Sequence, residues 1–106
     1  MKSVSDMTGN EKIAYDNIVM GFNYEVGGWY NAYQDDYLDD IPDNIEKAKD
    51  IIYENVMTNK YSTGYCGYDK APKEMRFAGE KFIRDVIDYL FENDEDIEEL
   101  TQIKHW

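Results

Sequence analysis

The 106-residue sequence predicts an all-α, single-domain bundle of four to five helices. Apolar residues recur at helical spacing through most of the chain, and helix-start signals precede those stretches. Only one segment, at about 58–71, has the Tyr- and Gly-rich content of irregular structure. A chain of this length makes one domain, and such a domain buries roughly 65% of its unfolded surface, enough for one modest core. Residues 1–106 therefore read as one acidic helical domain, with 1–7 a loose N-terminus and 93–106 a short C-terminal helix.

Thr8-Gly9-Asn10-Glu11 is a capping-box pattern, in which the Thr hydroxyl accepts from the Glu11 backbone N–H and the Glu carboxylate reaches back. A helix follows to about Glu25, with Tyr15, Ile18, Val19, Phe22 and Val26 inward. Gly27-Gly28 predicts a break or sharp kink, because two glycines destabilise a helix by about 2 kcal/mol relative to alanine. A second short helix over about 29–38 places Trp29, Tyr33 and Tyr37 in one stripe. Asp39-Asp40-Ile41-Pro42-Asp43 is a start signal, since Pro suits a first helical turn and acids suit the positive end of the helix dipole. The third helix runs over about 42–57, with Ile45, Ala48, Ile52 and Val56 inward.

Residues 58–71 hold Gly64, Gly67, Tyr61, Tyr65 and Tyr68 and read as a loop, with a short β-hairpin as the alternative. The fourth helix runs from about Pro72 to Glu92. Its stripe of Met75, Ala78, Phe82, Val86 and Tyr89 is widened by Ile83, Ile87, Leu90 and Phe91, as in a central helix touched on two sides. Gly79 suits a close helix crossing. Asn93 or Asp94 caps a last helix to about Ile103, with Ile97 and Leu100 inward.

The charge is strongly unbalanced: 23 acidic against 11 basic residues, a formal net charge of -12. Residues 13–46 and 85–103 carry eight acids each and no Lys or Arg, while 47–84 nets +3. Such a field repels nucleic-acid phosphate and anionic lipid. No direct nucleic-acid partner and no membrane partner is expected. The first residues, Met1-Lys2-Ser3-Val4-Ser5-Asp6, lack the apolar run of a secretory signal. Cys66 is the one cysteine, which fits a reducing cytoplasm. The charge opposes self-association unless a Tyr-rich patch offsets it, so monomer and homodimer both remain open.

Catalytic constellations are sparse. His105, the only histidine, is penultimate, and chain ends are poor places for a positioned base. Cys66 lies in Gly64-Tyr65-Cys66-Gly67-Tyr68, with Lys60 and Lys70 as the nearest cations in sequence and no base to favour a thiolate. Most carboxylates lie in polar runs; Asp85 and Asp88 flank core positions, where Lys81 and Arg84 can satisfy them at i+4. Asp35 to Glu46 has acids at its first and twelfth positions, as an EF-hand loop does. Tyr37, Asp40 and Pro42 depart from that pattern. Zinc-ligand spacing and phosphate-binding glycine loops are missing too. No catalytic residue, cofactor or metal is assigned.

The candidate site is a surface. Trp29, Tyr30, Tyr33 and Tyr37 interleave with Asp35, Asp36, Asp39 and Asp40. Tyr and Trp make interface hot spots, and acidic neighbours speed encounter with a basic partner. Against this, a chain with only Leu38, Leu90 and Leu100 as leucines needs aromatics to fill its core. Tyr30 or Tyr37 is expected to be exposed, since both cannot share an inward face with Trp29 and Tyr33.

Gly27-Gly28-Trp29-Tyr30-Asn31-Ala32-Tyr33 and Phe77-Ala78-Gly79-Glu80-Lys81-Phe82-Ile83 resemble segments of small acidic proteins of unknown function carried by bacterial conjugative elements and phages. The resemblance covers these two short stretches. It implies a mobile-element accessory protein and transfers no catalytic residue. In composition alone the chain is similar to acidic inhibitors that imitate DNA. The expected function is a non-enzymatic interaction protein that binds a basic protein partner. The alternatives are a DNA-mimic inhibitor of a DNA-binding protein or nuclease, of anti-restriction or anti-CRISPR type, and a small metal-dependent or Cys-dependent enzyme.

Overall fold

The computed structural model describes residues 1–58 and 71–102. Among them are α1 (Gly9–Gln34), α2 (Ile45–Met57), α3 (Ala71–Ala78), α4 (Glu80–Glu92) and α5 (Glu95–Gln102), with short 3-10 turns at Val4–Asp6 and Leu38–Asp40. No strand occurs among the described residues. The architecture is the expected all-α bundle. The loop-or-hairpin reading of 58–71 falls on residues 59–70, outside the described residues, as do Tyr61, Tyr65, Cys66, Tyr68, Ile103 and His105.

α1 begins as its sequence dictates. The Thr8 hydroxyl accepts from the Glu11 N–H at 3.2 Å, and the Glu11 carboxylate accepts from the Thr8 N–H at 2.9 Å. That bond and the nearby Lys2 ammonium hold the Glu11 carboxyl below its ordinary range. The helix then runs unbroken through Gly27 and Gly28 to Gln34, which corrects the expected break and the separate helix over 29–38. Both glycines lie on the exposed side, between buried Val26 and buried Trp29. Burying a tryptophan removes about 150–250 Å² from water, worth roughly 4–6 kcal/mol. That outweighs the roughly 2 kcal/mol the two glycines cost.

The rest of the core follows the apolar periodicity closely. α1 contributes Ala14, Ile18, Phe22, Val26, Trp29 and Ala32; α2 contributes Ala48, Ile52 and Val56. α4 contributes Ile83, Val86, Ile87 and Phe91, and α5 contributes Ile97 and Leu100. The rings of Phe22 and Phe91 meet edge to face at 5.2 Å, an arrangement that favours both ring quadrupoles. α1 packs against each of the other four helices, and α4 is packed by α1, α2 and α5 as its broad apolar face implied.

Two helix boundaries differ from expectation. α2 starts at Ile45, because Asn44 caps it by accepting from the Lys47 N–H at 2.9 Å. Pro42 lies upstream, in a linker anchored by buried Ile41. The single helix expected over 72–92 is two helices hinged at Gly79, whose φ of 92° and ψ of 151° belong to a region open essentially to glycine alone. Gly79 closes α3 by donating to the Met75 carbonyl at 3.1 Å and opens α4 by accepting from the Ile83 N–H at 3.1 Å. Tyr89, expected inward, is 42% exposed.

Three buried positions among the described residues are polar: Asn17, Glu74 and Thr101. Asn17 is 1% exposed, and neither amide atom has a hydrogen-bond partner among the described residues. A buried polar group without a partner costs about 1–3 kcal/mol.

The glycines give opposite expectations. An added Cβ at Gly27 or Gly28 meets nothing within 4 Å, so Gly27→Ala and Gly28→Ala should each stabilise the domain by about 0.5–1 kcal/mol in urea unfolding. Gly79→Ala should destabilise it by about 1–3 kcal/mol, because the backbone there is strained for any L side chain. Loss of stability on substituting Gly27 or Gly28 would mean that α1 is not continuous.

Candidate functional site

The expected surface residues separate into three groups. Trp29 is 5% exposed and belongs to the core, which corrects its assignment to the surface. Tyr30 is half-buried and packs against that core. Tyr33 and Tyr37 are 49% and 64% exposed, so the expected stripe of Trp29, Tyr33 and Tyr37 does not form one inward face. Tyr37 lies beyond the helix end, where the chain turns.

That turn has a definite geometry. The Tyr37 N–H donates to the Ala32 carbonyl at 2.8 Å, and the Asp36 N–H donates to the Tyr33 carbonyl at 3.2 Å. These are the paired bonds of a Schellman C-cap, with Asp36 at φ 64° in the left-handed position usually held by glycine. Asp35, Asp36, Asp39 and Asp40 are all exposed on this turn and the short 3-10 helix after it. The EF-hand-like run is thus a helix end, a 3-10 turn and a new helix cap. Among the described residues no three Asp, Glu, Cys or His side chains are grouped as a metal site requires.

α5 supplies what the sequence reading left apart. The last turns of α1 and the body of α5 flank a shallow, open cleft of about 240 Å³ lined by Tyr30, Tyr33, Asp96, Glu99 and Leu100. Asp96 and Glu99 are exposed and have no ion pair among the described residues. Carboxylates of the second acidic block, far away in sequence, therefore lie beside α1's tyrosines. The available signal was local: Asp96, Glu99 and Leu100 fall at i, i+3 and i+4 on a predicted helix, so two acids and one apolar residue share a side.

Two further clefts border α5. One, of about 360 Å³, is lined by Ile45, Lys49, Phe91, Glu92, Asp94 and Glu98. It already holds a cation, because the Lys49 ammonium lies 3.1 Å from Asp88 and 6.0 Å from the Phe91 ring centre. The other, of about 410 Å³, is lined by Glu92, Asn93, Asp94 and Asp96.

Six described cations are engaged elsewhere. Lys2 pairs with Glu11, Lys12 with Asp16, Lys47 with Asp43 and Lys81 with Asp85, at 2.8–3.0 Å. Asp88 pairs with Lys49 of α2, and Arg84 pairs with Asp50 at 2.8 Å, so only the Lys81–Asp85 half of the expected α4 pairing forms as read. The Lys81 ammonium holds the Asp85 carboxyl below its ordinary range, as in a surface ion pair. Arg84 also lies over the Tyr53 ring, its guanidinium carbon 3.9 Å from the ring centre.

The electrostatic effect reaches the cleft's own phenol. Burial, and then the negative charges of Asp94, Asp96 and Glu99, raise the Tyr30 phenol above its ordinary value of 10.0. The raised value favours the folded state while the phenol is neutral. That contribution is complete below the unfolded-state value and is lost as pH rises through the folded-state value. In a tyrosine ¹³Cζ NMR titration, Asp96→Asn and Glu99→Gln should each move Tyr30 toward 10.0. An unchanged Tyr30 titration in both variants would contradict the placement of these carboxylates.

Comparison with family models finds no match, and neither curated proteins nor solved structures give one.

Proposed function

We propose that this chain is a non-enzymatic accessory protein that docks on a basic protein partner through the acidic, tyrosine-bearing end of its bundle. One observation carries the reading. Tyr33 is exposed in a cleft that carries Asp96 and Glu99, and Tyr37 is exposed on the turn that carries Asp35, Asp36, Asp39 and Asp40. Lys2, Lys12, Lys47, Lys49, Lys81 and Arg84 are held in ion pairs by other carboxylates. Exposed tyrosines supply large, stiff contact area, and uncompensated carboxylates steer a cationic partner toward it.

The resemblance of residues 27–33 and 77–83 to small proteins of conjugative elements and phages agrees with an accessory role. A single cysteine agrees with a cytoplasmic setting. Among the described residues no helix is long and apolar enough to cross a membrane.

Affinity capture from the source organism at low salt tests the reading. It is run beside a chain carrying Tyr33→Ser, Asp35→Asn, Asp36→Asn and Tyr37→Ser. The expected result is a basic protein retained by the native chain, released as salt is raised and lost with the variant. Retention unaffected by these substitutions, or tight binding of DNA or RNA by the purified chain, would overturn it. Displacement of the captured protein by short duplex DNA would identify its DNA-binding groove as the docking site, the DNA-mimic form of the same idea.

A further inference from the structure

The cleft between α1 and α5 has the components of a receptor for one side chain. Its volume, about 240 Å³, is below the roughly 300–1,000 Å³ common for small-molecule sites. Tyr30 and Tyr33 supply aromatic side chains, Leu100 an apolar one, and Asp96 and Glu99 negative charge. An unbranched cationic side chain matches this arrangement, because its methylene stem packs on apolar surface while its head stays at the polar rim.

The fold contains an occupied counterpart. Arg84 is held between the Tyr53 ring, 3.9 Å from its guanidinium carbon, and the Asp50 carboxylate at 2.8 Å. A tyrosine face and a carboxylate thus suffice in this molecule to seat a guanidinium. The α1–α5 cleft repeats those two groups, and no cation of the described residues lies among its lining groups. Guanidinium also fits better than ammonium. It is planar, stacks on aromatic rings, is weakly hydrated and presents paired donors to carboxylates.

We infer that the cleft of Tyr30, Tyr33, Asp96, Glu99 and Leu100 receives a single arginine side chain of a basic protein partner. The inference rests on the reading of the chain as a binder of basic proteins and assigns the position where that partner is anchored. Tyr33, Asp96 and Glu99 are exposed and so accessible to substitution. Burial and the neighbouring carboxylates keep Tyr30 in its neutral phenol form up to high pH, so its ring remains beside the cation as an uncharged hydrogen-bonding wall.

A tetra-arginine peptide and a tetra-lysine peptide, titrated separately into the intact protein at low salt, test this by NMR. Arginine should bind more tightly than lysine and perturb Tyr30, Tyr33 and Leu100 first. Tyr33→Ala and Glu99→Gln should each weaken arginine binding about three- to tenfold. Asp39→Asn makes the same charge change outside the cleft and should alter binding by about twofold or less. Arginine binding that perturbs the Glu92, Asp94 and Glu98 surface instead, and responds equally to Glu99→Gln and Asp39→Asn, would overturn the inference and leave basic-partner binding intact. No binding of either peptide would overturn both. Circular dichroism of each variant separates a lost contact from a lost fold.

Discussion

Burial of one continuous face of α1 is the constraint on which the rest of this structure depends. That face runs from Ala14 to Ala32 and meets every other helix. Trp29 is its decisive residue, because its burial carries the helix across two glycines that would otherwise end it. Were α1 to stop at Val26, Tyr30 and Tyr33 would follow a different axis and lose their position beside α5. A core contact thus determines the composition of a surface cleft.

Most of the bundle could be read from residue spacing, and the failures have specific physical causes. The inward residues of α2 and α5 follow directly from 3.6-residue periodicity, as does the capping box of α1. Gly27-Gly28 misled because helix propensity is a local quantity and the burial of Trp29 is a tertiary one. Gly79 misled in the opposite direction. Apolar spacing on both sides of it was consistent with one helix, and nothing local announces a φ of 92°. Asn44 was missed because Pro42 and its acidic neighbours gave a louder start signal two residues earlier. Of the candidate surface, spacing indicated that Tyr30 or Tyr37 is exposed; Tyr37 is, but so is Tyr33, which that argument placed inward. The approach of Asp96 and Glu99 was not legible, because it depends on how α5 packs on α1.

Charge placement sets what the cleft can bind. The lysines and arginine of α2 and α4 lie where carboxylates of the same helices and of neighbours neutralise them. Asp96 and Glu99 near Tyr30 have no ion pair among the described residues, and their repulsion is tolerated because they are exposed and screened. Asp96 also lies near the N-terminus of α5, where negative charge is favourable. Glu99 lies farther along that helix and gains less from the dipole. The surface therefore carries unpaired negative charge beside aromatic rings, which is the chemistry a guanidinium meets most favourably.

The continuity of α1 through Gly27 and Gly28 is most directly tested by amide hydrogen exchange measured by NMR in the native protein. The amides from Gly28 to Asn31 should be protected to the same degree as those from Ile18 to Phe22, and should open only with the whole domain. Fast exchange at Gly28 and Trp29, with protection retained on either side, would show two independent helices and would contradict this account of the cleft.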